Sequence, residues 1–190
     1  MLPSKLSLHV LTKNEEGFIY GLLSRVAPHV HEIIVTDTGS VDGTVEEALN
    51  LGARVCHTTM ERGFGEARNV GLAFVTTPWV LQIDADELPT VRLLSWIAYW
   101  QPLQGTGGVW IRRHNLVGKQ PIGKNTYEWH PRIFRSGYRF AGALHERPIA
   151  PYETFIRAPD DCLLLHYKTI VRQERQNAFY ATFNAGGTRC

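Results

Sequence analysis

Thr77-Pro78-Trp79-Val80-Leu81-Gln82-Ile83-Asp84-Ala85-Asp86-Glu87 is the stretch on which the reading of this chain turns. Pro78 stands at the entrance of a β-branched and aromatic run, Trp79 to Ile83, which predicts a buried strand. Asp84, Asp86 and Glu87 follow at once, where that strand leaves its sheet. In open α/β sheets the ligand crevice lies outside the carboxyl ends of the strands. Two carboxylates at i and i+2, with a small residue between them, can both reach a hard cation. Magnesium or manganese would then bridge them to phosphate oxygens. The same acids can equally form a solvated turn that caps the next helix, so position and company elsewhere in the chain must decide.

Upstream, the chain alternates strands and helices. Leu6 to Leu11 predicts a first strand, followed by the polar turn Thr12-Lys13-Asn14-Glu15-Glu16. A helix from about Glu16 to Val26 would bury Ile19, Leu22, Leu23 and Val26, and Pro28 ends it. Glu32 to Thr36 is a short apolar strand of the kind that parallel sheets bury on both faces. After Asp37-Thr38-Gly39-Ser40-Val41-Asp42-Gly43, Thr44 with Glu47 fits a capping box for a helix through Asn50, and Arg54-Val55-Cys56 is a third strand. The order β-α-β-α-β argues for a parallel sheet with right-handed crossovers.

Gly63-Phe64-Gly65-Glu66-Ala67-Arg68-Asn69 leads into a further helix, and Pro89 to Trp100 reads as the helix after the acidic strand end. Beyond Gly107 the texture changes to short β-like pieces, Val109–Ile111, Arg132–Phe134 and Tyr138–Phe140, and Thr169 to Phe183 looks helical. The expectation is an α/β fold with a mostly parallel central sheet flanked by helices and a small mixed β region in its second half. It forms one domain over residues 1–190: a ligand-binding half to about residue 100, then a substrate-facing half.

Composition narrows the class. At 190 residues, 44% hydrophobic and 20% charged, the chain has the make-up of one soluble globular domain. A formal net charge of +2 gives no argument for a nucleic-acid partner. No apolar stretch reaches membrane-spanning length, and the first residues carry no signal-peptide pattern. Cys56, Cys162 and Cys190 are odd in number and far apart, which predicts a reducing, cytoplasmic setting and neither a disulfide framework nor a zinc site.

The combination of Leu11-Thr12-Lys13-Asn14-Glu15-Glu16, Asp37 to Thr44, Glu66-Ala67-Arg68-Asn69, Ile83 to Glu87, Pro131-Arg132-Ile133-Phe134-Arg135 and Leu144-His145-Glu146 resembles the inverting glycosyltransferase family two, which has the Rossmann-like GT-A fold. Within it the chain looks most like the bacterial branch that includes lipopolysaccharide-core and SunS-like glycosyltransferases. The resemblance implies a nucleoside-diphosphate sugar donor, with UDP as the expected nucleotide, and Mn2+ or Mg2+ as cofactor. Thr12, Asn14, Glu15 and Asp37 would line the nucleotide pocket, Asp37 facing a uracil imide; Arg68 would lie beneath the diphosphate; Asp84 would contact the ribose or the metal. Asp86 and His166 would hold the cation, and Glu146 would be the catalytic base with His145 beside it.

From the residues alone, Asp37 serves a turn with Ser40 equally well, Glu15 a helix cap, Arg132 and Arg135 a basic strand face, and His166 a hydrogen-bonded core. The resemblance also implies an unidentified saccharide, lipid-linked or peptide acceptor, peripheral association with the inner face of the membrane, and cell-envelope polysaccharide synthesis. The chain is short for that branch, so a carboxy-terminal acceptor or docking segment is expected to be missing. Gly65 departs from it, standing where such proteins commonly carry serine. Two other readings share the sheet and the acids: a sugar-nucleotide nucleotidyltransferase, although Thr12-Lys13-Asn14-Glu15 replaces its Gly-rich loop, and a carbohydrate-binding module without activity.

Overall fold

A computed structural model describes residues 5–117, 120–121, 126–143 and 146–168. In chain order the elements are β1 (Leu6–Thr12), α1 (Glu16–Val26), a 3-10 turn (Ala27–His29), β2 (Glu32–Asp37), α2 (Thr44–Asn50), β3 (Arg54–His57), α3 (Phe64–Leu72), β4 (Trp79–Gln82), β5 (Glu87–Pro89) and α4 (Val91–Tyr99). Then come β6 (Gly108–Val117), β7 (Gln120–Pro121), β8 (Tyr127–Arg135), β9 (Phe140–Ala141), β10 (Arg147–Pro148), a second 3-10 turn (Tyr152–Thr154), β11 (Phe155–Arg157) and β12 (Leu163–Lys168).

Most of these strands belong to one ten-stranded sheet of order β3-β2-β1-β4-β8-β6-β12-β5. Its first four strands are parallel. The run then turns antiparallel, with β8 between β4 and β6. Beyond it β6 pairs in parallel with β12 and β11, and β5 closes the edge antiparallel to β12. The α/β architecture expected from the sequence is the one observed. The second half continues the main sheet, and only β9 and β10 stand apart as a two-stranded antiparallel sheet.

Each face of the sheet has its own cover. Leu8 and Val10 of β1 and Leu81 of β4 join Ile19, Leu22, Leu23 and Val26 of α1, Ala48 of α2, and Leu93 and Ile97 of α4 in the main core. Full burial of aliphatic side chains of this size is worth about 1.5–3 kcal/mol each relative to exposure, and it fixes which face α1 presents. On the other face Val80 and Phe134 pack with Leu72 of α3 and Phe140. The alternate residues of β1, Ser7 and His9, are polar yet fully buried on that side. Gly71 of α3 lies directly over them: a Cβ there would collide with Thr36 Oγ1 and His9 Nε2.

Three local expectations are corrected. Thr44 does not cap α2; it is the first helical residue, its hydroxyl donates to Asp42 Oδ1, and Asp42 accepts its amide at 3.1 Å. Pro89 ends strand β5 instead of opening a helix, because β5 pairs with β12; Thr90 caps α4, accepting the Leu93 amide at 3.3 Å. The pieces around Val109 and Arg132 are parts of ten- and nine-residue strands that carry polar residues on both faces, Arg113, Asn115 and Arg132 among those turned inward, so apolar alternation undercounts them. None of the helices among the described residues is long and apolar enough to cross a membrane. The helix expected from Thr169 to Phe183 lies outside the described residues.

Candidate functional site

The carboxyl end of β4 opens into a tight turn in which the Glu87 amide donates to the Asp84 carbonyl at 2.9 Å. The amide of Asp84 donates in return to Glu87 Oε2 at 3.1 Å, and Tyr167 of β12 donates its amide to the Asp86 carbonyl at 3.1 Å. The backbone of Asp84 is therefore held within the turn and that of Asp86 by β12 before either aspartate side chain acts.

Arg68 is the side chain that gathers the site. It rises from α3, is 7% exposed, and donates from Nε to Glu146 Oε1 at 2.7 Å and from Nη2 to Asp84 Oδ1 at 2.8 Å. The expected helix arginine, strand-end acid and acceptor-side acid thus meet in one place. Its Nη1 has no hydrogen-bond partner among the described residues. Arg132 of β8, also buried, takes the other Asp84 oxygen at 3.3 Å and pairs with Glu87. Burial alone would raise the Asp84 carboxyl, but Arg68 and then Arg132 outweigh it and hold Asp84 far below the usual carboxylate range. Glu87 is fully buried, and desolvation pushes its carboxyl up despite Arg132, with the Asp84 charge adding to the rise.

Asp86 is held differently. Its Oδ2 lies 3.1 Å from His166 Nε2, and His166 Nδ1 lies 2.8 Å from Asn115 Oδ1. Asn115 donates to Glu128 Oε2 at 3.1 Å, and Arg113 donates to the same oxygen at 2.6 Å. The other end of Arg113 stands 3.6 Å from Glu87. Asp86, His166, Asn115, Glu128, Arg113, Glu87, Arg132 and Asp84 therefore form one continuous chain of side-chain contacts between the two aspartates. Counting Glu146, five carboxylates face three guanidiniums in this network.

That surplus of negative charge, and the donor set, fit a divalent cation brought in with a diphosphate. Among the described residues no three His, Cys, Asp or Glu side chains stand together as a ready-made cage. Magnesium-type sites commonly use one or two protein ligands and complete their shell with substrate phosphate and water. Asp86 and His166 supply such a pair of donors, whereas the Asp84 oxygens are taken by guanidiniums.

At the ends of β1 and β2, Asp37 is 2% exposed and shapes its own loop. It accepts the Gly39 amide at 3.1 Å and the Ser40 hydroxyl at 2.5 Å, with His57 Nδ1 3.4 Å away. Burial would raise this carboxyl too; the Ser40 and Gly39 bonds outweigh it and keep it below its ordinary value. The Asn14 side chain accepts the Val41 amide at 2.8 Å, so the loops after β1 and β2 are tied together. Glu15 stands at the start of α1, its amide donating to Thr44 Oγ1 at 2.7 Å. Thr12 is buried at the end of β1, and its Oγ1 has no hydrogen-bond partner among the described residues.

Other candidates find different places. Arg132 is an internal partner of Asp84 and Glu87, and Arg135 stacks over Trp79 at 4.6 Å. Trp129 lies beneath Arg112 and Arg157, and Phe140 belongs to the core under α3. His145 lies outside the described residues. Glu87, Arg113, Asn115, Glu128 and His130 were not read as a set from the sequence. Ile111, Arg113 and Asn115 share a face of β6 by strand alternation, which is the one signal that could have joined them. The departure at Gly65 has a steric cause: the Phe64 and Gly65 amides donate to the Ala143 and Gly142 carbonyls, and a Cβ at Gly65 would lie 2.6 Å from the Gly142 oxygen.

A model of glycosyl transferase family 2 matches residues 7–160. A TPR repeat-containing protein of Synechococcus elongatus is 38% identical over 148 residues, covering 75% of this chain and 35% of its own. An uncharacterized glycosyltransferase of Rickettsia typhi is 36% identical over 95 residues, covering 50% of this chain and 32% of its own. The chain spans about a third of the length of the curated relatives it matches. Among solved structures, Staphylococcus aureus TarS (1–349) is similar in fold, with a TM-score of 0.61 and 19% identity over 85% of this chain and 60% of that one. Glucosyl-3-phosphoglycerate synthase of Mycobacterium tuberculosis, crystallised with Mn2+, UDP and glucosyl-3-phosphoglycerate, aligns at a TM-score of 0.47 and 26% identity, over 59% of this chain and 43% of its own. The family match runs from β1 past β11, through the strand ends and the α3 arginine that build this site, and so the chain belongs to glycosyl transferase family 2.

Proposed function

We propose that the chain transfers a sugar from a nucleoside-diphosphate sugar, UDP being the expected nucleotide, to an acceptor hydroxyl or other nucleophile, with inversion and with help from Mn2+ or Mg2+. The observation that carries this reading is Arg68, which joins the acid of the donor-side strand end to the acid of the acceptor-side segment at 2.8 and 2.7 Å. A donor needs positive charge at its leaving group and an acceptor needs a base, and these two demands meet at this arginine.

The roles follow from the atoms. Glu146 is 12% exposed at its side chain and bonded to Arg68 through Oε1, which leaves Oε2 to take the acceptor's proton as the acceptor attacks the anomeric carbon. The bond from that carbon to the diphosphate oxygen breaks on the opposite face, which inverts the configuration. Arg68 Nη1, which has no hydrogen-bond partner among the described residues, is the donor assigned to a phosphate oxygen. Asp86 and His166 hold the cation, which when bound neutralises the charge gathering on the departing diphosphate. In this reading Thr12, Asn14, Glu15 and Asp37 bound the base pocket, and Asp37 serves a uracil imide and Asp84 a ribose hydroxyl beside the Ser40 and guanidinium contacts each already makes. The reading extends to the lipopolysaccharide-core/SunS-like branch, with a saccharide, lipid-linked or peptide acceptor met at the cytoplasmic face of the membrane.

The test is incubation with Mn2+ and a panel of nucleotide sugars. Release of free nucleoside diphosphate is the expected outcome, strongest for one UDP-sugar. Pyrophosphate exchange would mark a nucleotidyltransferase, and no turnover with retained sugar binding would mark a binding module; either result overturns the proposal.

A further inference from the structure

The cation reading raises the question of what fixes Nε2, and not Nδ1, as the His166 ring nitrogen beside Asp86. Asn115 lies behind the histidine ring and is 7% exposed. Its amide nitrogen donates to Glu128 Oε2 at 3.1 Å. A carboxylate only accepts, so this bond fixes which way round the amide lies. The Asn115 oxygen must then face His166 Nδ1, at 2.8 Å, and Nδ1 must carry the hydrogen. Nε2 is the ring nitrogen directed at Asp86, 3.1 Å away; toward that carboxylate it can only donate, and it is the nitrogen that would exchange its hydrogen for a cation. Histidine ligands commonly have the second ring nitrogen fixed by such an outer partner, which sets both tautomer and orientation.

Glu128 is itself held. Arg113 donates to the same Oε2 at 2.6 Å, and His130 Nε2 lies 3.4 Å from it. Burial alone would raise this carboxyl, but Arg113 and Asn115 bring it down to about 2, so it is a fixed anion across the neutral range. That also makes Glu128 a poor proton acceptor. Its place in the network is behind the metal pair.

Resting on the cation reading above, we infer that Asn115 is a positioning residue for the divalent cation: held by Glu128, it turns the His166 ring so that Nε2 and Asp86 present adjacent donors. The polarity runs in one direction, from the fixed Glu128 anion through the Asn115 amide to the imidazole. Reversing the amide would set the Asn115 NH2 against Nδ1, make that nitrogen an acceptor, and put the ring hydrogen on Nε2, facing the place where a cation would bind.

The experiment is titration of Mn2+ by electron paramagnetic resonance, at saturating UDP, into the full chain carrying Asn115→Ala, Asn115→Asp, or Asn115→Asp with Glu128→Gln, with melting followed in parallel. Asn115→Ala is expected to weaken Mn2+ binding roughly 10–100-fold while leaving metal-free UDP binding within about twofold. Asn115→Asp alone sets two carboxylates together and should weaken it as well. Adding Glu128→Gln re-forms the bond to residue 115 with donor and acceptor exchanged, at the loss of the Arg113 bond to that position, and should bring affinity back above that of Asn115→Asp alone. Equal Mn2+ affinity in wild type and Asn115→Ala overturns the inference and leaves the cation reading standing. Failure of the double variant to restore binding, while it melts like wild type, overturns it too. If wild type takes up no Mn2+ with UDP, the cation reading falls and takes the inference with it.

Discussion

Replacing Arg68 with methionine keeps most of the apolar stem and removes the guanidinium that joins α3 to Asp84 and Glu146. The side chain is 8% exposed, so the two acids lose a desolvated partner that water cannot replace at once. Breaking a buried ion pair by removing one member typically costs about 3–5 kcal/mol. Asp84 keeps Arg132 at 3.3 Å, which places the cost at the lower end, about 3 kcal/mol. For a domain of this size each kcal/mol moves the midpoint by about 2–4 °C, so the melt should fall by about 6–12 °C. Arg68→Lys retains a charge but not the planar fork, and should fall in between. Asp84→Asn, alone and with Arg68→Met, completes the cycle, and the two changes should be non-additive by about 1–3 kcal/mol. Scanning calorimetry at neutral pH reads each of these proteins against wild type. An Arg68→Met midpoint within about 2 °C of wild type, or strict additivity, would refute the reasoning, because it would mean that Asp84 and Glu146 are satisfied without this arginine.

Buried His9 gives a pH prediction. It is bonded to Gln82 at 2.6 Å and to Thr36 at 2.9 Å, and burial, reinforced by Arg68 against the opposing Gln82 bond, lowers its pKa from 6.5 to about 4. The unfolded chain takes up that proton first, so the contribution is fully present above pH 6.5 and is lost as the pH falls toward 4, in total about 3 kcal/mol. Urea unfolding across that window should show the loss in wild type and a flatter profile in His9→Gln; parallel profiles would contradict it. Gly65→Ser should cost about 1–3 kcal/mol by overpacking against the Gly142 oxygen. Gly65→Ala should cost as much, since the Cβ is at fault, and unchanged urea midpoints in both would show that the segments part freely.

The sequence made the first half of the fold legible because its strands are nearly pure. Glu32 to Asp37 and Trp79 to Gln82 are short, mostly apolar runs buried on both faces, as parallel strands between two layers are, and α1 falls where its apolar period predicts. The second half was harder to read because β6 carries Arg112, Arg113, His114 and Asn115 in succession, and only the fold shows that Arg113 and Asn115 turn inward while Arg112 and His114 stack on Tyr127. Asp84, Asp86, Arg68 and Glu146 were legible as candidates through resemblance. Their connections were not, since Glu146 meets Arg68 across 78 positions and His166 meets Asp86 across 80. The loop role of Asp37 was visible locally, because Gly39 and Ser40 follow within hydrogen-bond reach.

The central claim is that Glu146 accepts the acceptor's proton in a single displacement, while the β4 strand end and Arg68 hold the donor. Glu146→Gln tests it most directly, because glutamine keeps the oxygen that Arg68 Nε binds but takes no proton at neutral pH. Turnover of the best UDP-sugar in the presence of Mn2+ should fall roughly 100-fold or more, with UDP and Mn2+ affinities within about twofold of wild type. Turnover within a few-fold of wild type, or loss of UDP binding in place of turnover, would contradict the account and move Glu146 from base to donor contact.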